Sequence, residues 1–489
     1  MVCKVPDEPN VYDTGNKTSS CNDAHKGENK MFKTNKVHKG MVALAIGIAA
    51  AMTLAACAQA PGGPGPVVDN SGSSINNTGS SAGNSAAVNS AGDSQTPAPD
   101  AQNAAARTPA SSANDFAFKL SAALLKDAGK GAGDQNFVCS PFSVWLPLAA
   151  LANATDDKSK PALFEALNTS GFTAADLNAA ASRMMNDLTR TRDKGTDYYY
   201  DPLNIANAIF VGNDVTLKKD FSQIFTDYYG GTPFNVDFSS PDAADAVNKW
   251  ASENTDGRIT NVIDAFDPET VAAIANAIYY SDRWRWEFDE AQTKEDVFHA
   301  LSGDTKADFM LREGDGQPYY EDSDIQATQL TFGNGGGLFI LLPKDGDANK
   351  LLSTMTSDYF NKIQTKVDMA TGKLLLPRFT IQSDFQTLGD TLQSLGVPLF
   401  DKKTAPLTGG LIEEDIPVYL SSAAQKAMIQ VDEKGTTAAA VTVLAAGMGG
   451  PMPTEPFEMN CNKPFAFILY DRTQDGGIQI LFTGVVNQP

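Results

Sequence analysis

The chain has 489 residues and a formal net charge of −21 at pH 7, and its length alone allows roughly three domains. This acidic excess argues against nucleic-acid binding, because such binding needs a basic face to neutralise phosphates. The chain holds only three histidines and five cysteines, and the cysteines show no metal-ligand or disulfide-framework spacing. The composition therefore disfavours a histidine-dependent hydrolase, a zinc site and a disulfide scaffold, and we expect no metal and no cofactor.

The N-terminal segment 1–57 is predicted to be a secretory signal. A lysine-rich stretch precedes an apolar run over 41–56, and the run closes in Leu-Ala-Ala before Cys57. A basic segment, an apolar segment and small residues at the exit are typical of such signals, and the ending resembles a bacterial lipobox. We therefore interpret Cys57 as a lipidation site, with Met31 as an alternative start of the chain. An uncleaved membrane helix is the other interpretation, since the run approaches the ~20 residues that span a bilayer.

Residues 58–112 are predicted to form a disordered tether. The stretch is rich in Ser, Gly, Ala and Pro and contains no aromatic residue and no Leu. It cannot bury enough apolar surface to offset the conformational entropy that ordering would cost. Residues 79–83 match the Gly-x-Ser-x-Gly nucleophile pattern, but that chemistry needs a flanking strand and helix, and neither is predicted here.

Residues 113–489 have a globular composition with mixed periodicity. Apolar side chains at three- and four-residue spacing predict helices over 116–128 and 141–154. Some of the predicted strands are apolar on both faces and should be central in a sheet; the four strands are 204–210, 271–280, 338–342 and 373–379. Because helices come early and strands late, the pattern indicates an α+β fold rather than an alternating α/β fold.

Short motifs follow one another in a fixed order along this globular part. In chain order they are NFVCSPFS at 136–143, NAIF at 207–210, NKW at 248–250, TDGRI at 255–259, NAIYY at 276–280, then Trp284, Phe288 and Thr293, LLP at 341–343, LPRF at 376–379, VDEKGTTAAA at 431–440, KPF at 463–465 and FTGVVNQP at 482–489. In this order they resemble the serpin family of serine-protease inhibitors. The resemblance covers all of 113–489 and implies one serpin domain of α+β fold, with three β-sheets, about nine helices and an exposed reactive-centre loop.

The resemblance implies a suicide-type inhibitor and not an enzyme. A target serine protease would attack the loop and form an acyl-enzyme, and the freed hinge would then insert into the main sheet before water hydrolyses the ester. The implied hinge residues are Glu433, Gly435, Thr436, Ala438, Ala439 and Ala440. Non-inhibitory relatives tend to carry charged residues, bulky residues or Pro in the hinge. Residues 435–440 contain none of these, so the hinge favours an inhibitor, and a non-inhibitory serpin-fold binding module on the cell surface is the alternative.

The resemblance also implies a set of residues that controls opening of the main sheet. They are Ser140, Ser143, Asn276, Trp284 and Gln425. The family usually has His where this chain has Gln425. In the family, that His helps to close the sheet together with the residues that correspond to Ser140, Ser143 and Asn276. Gln425 can still donate and accept hydrogen bonds, although it lacks a titratable ring.

The scissile bond is predicted between Met448 and Gly449. The family's spacing from Glu433 would place it at Gly449–Gly450, and counting back from Pro464 would place it at 453–454, because this loop is longer than is common. Gly offers a protease pocket nothing to fill, and Pro after the cleavage site is poorly accepted. Met448 is a medium-sized apolar side chain followed by an unhindered residue.

This bond predicts elastase-, chymotrypsin- or subtilisin-like targets. Trypsin-like pockets require Arg or Lys, and 435–458 contains neither. Cleavage between Ala446 and Gly447 is the alternative and would indicate elastase more narrowly. Besides the covalently trapped protease, we expect a membrane as partner through the lipid anchor, no nucleic acid, a monomer, and a location outside the cytoplasm, lipid-anchored to a bacterial membrane or secreted.

Overall fold

The structure is a computed structural model, which describes residues 108–128, 135–189, 203–421, 423–436, 456–474 and 476–489. These residues form nine α-helices and fourteen β-strands. The helices are α1 (Pro109–Ala128), α2 (Pro141–Leu151), α3 (Lys160–Ala166), α4 (Ala174–Thr189), α5 (Lys219–Tyr229), α6 (Asp242–Glu253), α7 (Ala348–Ser353), α8 (Ser357–Lys366) and α9 (Leu388–Ser394). The strands are β1 (Phe137–Cys139), β2 (Leu203–Gly212), β3 (Gly231–Val236), β4 (Ala272–Tyr280), β5 (Lys294–Ala300), β6 (Gly303–Glu321), β7 (Ile325–Thr331), β8 (Gly337–Pro343), β9 (Asp368–Pro377), β10 (Phe379–Phe385), β11 (Gln425–Val431), β12 (Phe457–Asn460), β13 (Phe465–Arg472) and β14 (Ile478–Val486).

The strands form three β-sheets within the described part of the chain. The largest sheet has nine strands in the order β1-β14-β13-β8-β7-β6-β9-β12, with β5 added beside β6. The second sheet has the order β3-β2-β4, and the third pairs β10 with β11 in antiparallel register. Three sheets and nine helices confirm the α+β fold class expected from the sequence.

Burial along the strands follows from their positions in the sheets. β14 is buried along nearly its whole length because α1 and α2 cover one face and neighbouring parts of the fold cover the other. Such strands give continuous apolar runs. β11 instead alternates strictly between buried and half-buried residues, since only one of its faces meets the core.

The first helix begins earlier than the predicted domain boundary. α1 starts at Pro109, inside the last four residues of the predicted tether 58–112. The Ser111 amide donates to Thr108 Oγ1 at 3.1 Å, and the Thr108 amide donates to Ser111 Oγ at 3.0 Å. This reciprocal cap, together with Pro at the first helical position, starts the helix before any large apolar side chain appears.

The predicted strand 373–379 is in fact two strands. β9 ends at Pro377 and β10 begins at Phe379, so the chain turns at Arg378. Pro377 has no N–H group with which to continue a ladder, and the amide of Arg378 donates to Asp308 O at 2.8 Å. The turn directs the Arg378 side chain to the end of β11, where it becomes part of the site described below.

A second, smaller core holds α6 against the three-stranded sheet. Val247 and Trp250 of α6 pack on Phe210 of β2 and Ala277 of β4, and Trp250 meets the Phe210 ring edge-on with centroids 6.1 Å apart. Because the main core covers the other face of this sheet, α6 and the segment that follows it lie over the outer face, beside β4.

Candidate functional site

A cleft separates β4 from β11. No backbone ladder joins these two strands, although the structure describes both along their whole length. The cleft holds a cavity of about 130 Å³, lined by both strands and by α2, α6 and α9. Strand edges that lie outside any ladder and face a common cavity can accept hydrogen bonds from, and donate them to, an added strand.

The N-terminus of α2 and the start of β11 form the floor of the cleft. Gln425 Oε1 accepts a hydrogen bond from the Ser140 amide at 3.0 Å. Gln425 Nε2 donates to Ser140 O and to Ser143 Oγ, each at 2.8 Å. Ser140 Oγ in turn donates to Leu481 O of β14 at 2.8 Å. Three of the predicted sheet-opening residues therefore form one buried group, which ties β11 to α2.

Asn276 in β4 stands apart from this group, contrary to the expectation from the sequence. Its Nδ2 donates to Asn207 Oδ1 of β2 at 2.8 Å. Its Oδ1 is buried and has no hydrogen-bond partner within the described residues, and the residue lines the cavity. The two polar atoms of Gln425 bond to Ser140 and Ser143, and no bond to Asn276 is formed. Gln425 thus closes the floor with α2, and not with β4.

The segment between α6 and β4 forms the outer wall of the cavity. Asn248 of α6 accepts from the Val262 amide at 2.7 Å and donates to Ile263 O at 2.7 Å. From the other side of the cleft, Lys426 Nζ donates to Asn261 O at 3.3 Å. A strand entering the cleft would therefore have to pass beneath a segment that is fixed to both sides.

Beyond β11 the predicted hinge makes a tight turn. Asp432 Oδ1 accepts from the amides of Lys434 and Gly435 at 2.9 and 3.2 Å, and the Asp432 amide donates to Gly435 O at 3.0 Å. Gly435 has φ +152°, and a Cβ atom there would lie 2.0 Å from Asp282 O. A side chain cannot be placed so close to a backbone oxygen, so the turn requires glycine.

Thr436 docks on Asp282, which lies two residues beyond the end of β4. Its amide donates to Asp282 O at 2.9 Å, and the Asp282 amide donates to Thr436 Oγ1 at 2.9 Å. Gly435 and Arg283 form an isolated β-bridge beside this contact. The Thr436 side chain is only 3% exposed. The hinge therefore joins the continuation of β11 to the continuation of β4 at one end of the cleft, which we call the hinge end.

Glu433 is held by the turn between β9 and β10. Arg378 Nε donates to both carboxylate oxygens of Glu433 at 2.9 and 2.8 Å, and Thr293 Oγ1 donates to Oε1 at 2.5 Å. Burial by itself would raise the pKa of Glu433, but the hydrogen bonds from Arg378 and Thr293 outweigh it and lower that pKa below its ordinary value. Glu433 is thus a charged anchor for the base of the hinge.

Trp284 holds the other side of the hinge turn at 432–435. Its indole Nε1 donates to Asp432 O at 2.8 Å, and its amide donates to Lys434 O at 2.8 Å. Its ring stacks on Phe332 with centroids 4.6 Å apart and an interplanar angle of 7°. The stack fixes the indole, so two hydrogen-bond donors of Trp284 hold the hinge in one position.

The reactive-centre loop lies outside the described residues. This applies to the hinge residues Ala438, Ala439 and Ala440, to the predicted scissile pair Met448 and Gly449, to the alternatives Ala446, Gly447 and Gly450, and to Cys57 in the signal segment. The chain is described again from residue 456, and β12 then pairs in parallel with β9. The described structure thus gives the two ends of the loop.

Three residues of the hinge end carried no sign of their role in the sequence. Thr293 and Arg378 stood within recognised motifs, but nothing in their spacing indicated that both would meet Glu433. Asp282 follows an apolar strand, where a polar residue ordinarily marks a solvent-exposed turn. It is in fact buried at 4% exposure, and no local pattern indicates this, because the burial comes from elements distant in sequence.

Within the described ranges there is no cluster of three or more potential metal-ligating side chains. Nor does any helix of the described part have the length and hydrophobicity needed to cross a membrane. Cys139 and Cys461 are both buried free thiols, and burial raises the pKa of Cys139 to about 11.

Comparison with known proteins identifies the family to which this chain belongs. The family model described as "Serpin (serine protease inhibitor)" matches residues 111–489. Antichymotrypsin-2 of Bombyx mori is 30% identical over 381 residues, which cover 75% of this chain and 95% of that protein. The crystal structure of Tengpin, a thermophilic serpin in the native state, aligns with a TM-score of 0.67 at 26% identity and covers 78% of this chain and 94% of that chain.

The chain therefore belongs to the serpin family. Serpins are generally protease inhibitors rather than enzymes, and serine proteases are their targets. The structure of human thyroxine-binding globulin aligns with a TM-score of 0.66 at 23% identity, covering 78% of this chain and 98% of that chain. At this identity the likeness shows the shared fold alone.

Proposed function

We propose that this protein is a suicide-type inhibitor that traps a serine protease as a covalent acyl-enzyme. After cleavage, its reactive loop inserts between β4 and β11. The observation that carries this proposal is the cleft itself, which has two strand edges without a common ladder, a cavity between them, and the hinge docked at one end.

The hinge directs the loop toward the cleft. A strand that continues from Thr436 places alternate side chains on one face. The side chains that share a face with Thr436 are those of Ala438, Ala440, Thr442 and Leu444. They are uncharged and small near the point of entry, which suits a cavity of only about 130 Å³. The sequence of the hinge and the size of the cleft are therefore compatible.

The chemistry of trapping belongs to the protease. Its serine oxygen attacks the carbonyl carbon of Met448, the peptide bond to Gly449 breaks, and the amine of Gly449 leaves with a proton, so that an ester remains. Insertion adds a strand whose backbone hydrogen bonds contribute about 1 kcal/mol each. This gain is available because the uninserted state is kinetically trapped. The inserted strand draws the attached protease along and distorts its active site.

The target class follows from the loop sequence. Met448 with Gly449 behind it suits elastase-, chymotrypsin- or subtilisin-like pockets. Cleavage after Ala446 would restrict the target to elastase-like enzymes. Trypsin-like enzymes are excluded as natural targets by the lack of Arg and Lys between 435 and 458.

The proposal extends to the location of the inhibitor. Residues 1–57 have the order of a signal that ends in a lipobox, so the mature chain would begin at a lipidated Cys57 and carry the serpin domain on the tether 58–112. The Cys57→Ser variant should be released from the membrane or left unprocessed in cell fractionation. If membrane association survives unchanged in this variant, the apolar run 41–56 itself is the anchor.

Incubation with a panel of purified proteases tests the inhibitory mechanism. Pancreatic elastase, chymotrypsin and subtilisin should each yield a band that survives SDS, at the summed mass of protease and cleaved inhibitor, whereas trypsin should not. Mass spectrometry of the released C-terminal peptide should show Gly449 as its first residue. Cleavage of the loop by every protease without any covalent band would overturn the proposal and favour the non-inhibitory binding module.

A further inference from the structure

Two buried carboxyl groups lie behind the hinge and play no part in the trapping mechanism. Asp282 and Asp471 are 4% and 1% exposed. Tyr280 Oη donates to Asp282 Oδ2 at 3.5 Å, and Asn334 Nδ2 reaches both Tyr280 Oη at 3.3 Å and Asp471 Oδ2 at 3.4 Å. Long hydrogen bonds thus connect Asp282, on which the hinge rests, to Asp471 in β13.

The groups around Asp282 favour its neutral form. The pKa of Asp282 is raised to about 7: burial is the largest cause and the negative charge of Asp471 adds to it, while hydrogen bonds from the amides of Arg283 and Asn334 and from Tyr280 oppose the rise. The other titratable neighbour is Tyr280 of β4. The next residue of β13, Arg472, directs its Nε to Gly335 O at 3.1 Å.

Asp282 is also the residue that holds Thr436. Its carbonyl accepts from the Thr436 amide, and its amide donates to Thr436 Oγ1. The Arg283 amide, next in the chain, donates to the Asp282 carboxyl at 2.7 Å. A displacement of the Asp282 side chain therefore changes the position of the peptide groups on which the hinge is docked.

We propose that Asp282 and Asp471 form a proton-sensitive latch, in which a proton on Asp282 keeps Thr436 docked and its loss loosens the hinge. Asp282 acts here as a positioning residue through its own backbone. An ionised Asp282 would be a charge in a site with little water and would also lie beside the like charge of Asp471, and moving the Asp282 loop toward solvent relieves both costs. The link between the latch and loop insertion rests on the function proposed above, whereas the docking itself does not.

The pH range follows from linkage. The docked state binds the proton more tightly than a solvent-exposed aspartate, whose pKa is ordinarily 3.8. Docking should therefore be tightest below that value, weaken as the pH rises toward about 7, and change little above it. Physiological pH lies at the weak end of this range, where the hinge is most ready to leave Asp282.

Hydrogen exchange of the amides at the hinge end tests the latch without any protease. The full chain is compared at pH 5 and pH 7.5 with Asp282→Asn, which mimics the neutral acid, and with Asp296→Asn, an exposed acid in β5 as a matched control. Comparing variants at one pH cancels the intrinsic pH dependence of exchange. Relative to Asp282→Asn, the wild type should lose about 70-fold protection at 282–288 and 432–436 between the two pH values, because the pKa of Asp282 is about 7 when the hinge is docked and 3.8 when the carboxyl is exposed.

A second variant keeps the test decisive if Asp282→Asn fails to fold. Asp471→Asn removes the neighbouring charge, so the same pH step should change protection less than in the wild type. The control Asp296→Asn should follow the wild type. Equal pH responses in the wild type and in Asp471→Asn, and in Asp282→Asn where it folds, would overturn the latch.

The link to insertion is measured separately, at pH 7.5, as the ratio of covalent complex to cleaved inhibitor. Asp282→Asn, with its tighter latch, should insert more slowly and yield more cleaved inhibitor than the wild type. A changed exchange pattern with an unchanged ratio would support the latch and overturn its link to insertion. Absence of covalent complex in the wild type would overturn the inhibitory function and leave the exchange result valid.

Discussion

The hinge end and the floor of the cleft between β4 and β11 are held together in different ways. At the hinge end, Thr436 bonds to Asp282 and Trp284 bonds to Asp432, so the continuations of the two strands are joined directly. At the floor, the side chain of Gln425 bonds to Ser140 and Ser143 at the start of α2, whereas the side chain of Asn276 bonds to Asn207 of β2. The segment that would insert is therefore also the segment that connects the two sheets before insertion, so its release and the opening of the cleft are coupled.

Among changes at the hinge end and the floor, Thr436→Arg is expected to have the largest effect. The side chain at this position is buried at the hinge end and would face the sheet interior after insertion. Placing a guanidinium there would cost several kcal/mol, roughly. We expect loop cleavage to continue while the covalent band disappears from SDS gels, because the acyl-enzyme is hydrolysed before insertion is complete.

Thr437→Arg is the matched control for this change. The residue is the same and the substitution is the same, but in an extended strand position 437 faces the opposite side from 436. This variant should keep the wild-type yield of covalent complex. Equal losses in the two variants would show that the alternation assumed for the inserted hinge is incorrect.

Gly435→Ala should destabilise the hinge end by about 3 kcal/mol, because its Cβ would meet Asp282 O at 2.0 Å. Gly346→Ala separates this clash from backbone strain. Gly346 also has a positive φ, +82°, but a Cβ added there would have no atom within 4 Å, so only about 1–2 kcal/mol is expected. Urea unfolding of the uncleaved protein measures both, and equal midpoints would contradict the close contact.

Glu433→Gln should lower the free energy of unfolding by about 2 kcal/mol, the range for a buried hydrogen bond to a charged group. Because the pKa of Glu433 is lowered in the folded state, its contribution is present above the ordinary value of 4.5 and is lost as the pH falls through the folded-state pKa. The difference between the wild type and the variant should therefore shrink on acidification below 4.5.

Glu458→Gln is the control for this charge removal. Its side chain is 68% exposed and lies 3.9 Å from Lys373, and such surface pairs contribute little. Its unfolding midpoint should stay at the wild-type value across the same pH series. A pH-independent gap between Glu433→Gln and the wild type would contradict the charged anchor.

The smallest effects are expected at the floor. Gln425→Ala removes three hydrogen bonds to α2 and should cost about 1–2 kcal/mol, whereas Asn276→Ala removes one hydrogen bond and should cost about 1 kcal/mol. A double-mutant cycle of the two substitutions should show additive costs, since no hydrogen bond joins these residues. A coupling energy well above about 0.5 kcal/mol would show that the floor does connect β4 to β11.

The elements that could be recognised from the sequence are those whose signal is local. The apolar run predicted as the strand 338–342, which is β8, is visible in a few residues, because burial on both faces acts at every position of a strand. The start of α1 was also encoded locally by Thr108 and Pro109, although large apolar residues dominated the prediction. The break at Arg378 was missed because Leu376 and Phe379 continue the apolar pattern across the turn.

The sequence by itself determined the order of motifs that defines the serpin domain, the presence of Gly435 in the hinge, and a loop without Arg or Lys. Each is a property of neighbouring residues and is set by side-chain size, charge or backbone freedom. Only the tertiary structure decided that Arg378 and Thr293 meet Glu433, that Gln425 bonds to α2 and not to Asn276, and that Asp282 is buried beside Asp471. These contacts join residues far apart in the chain, so their hydrogen bonds and burial exist only after the sheets have packed.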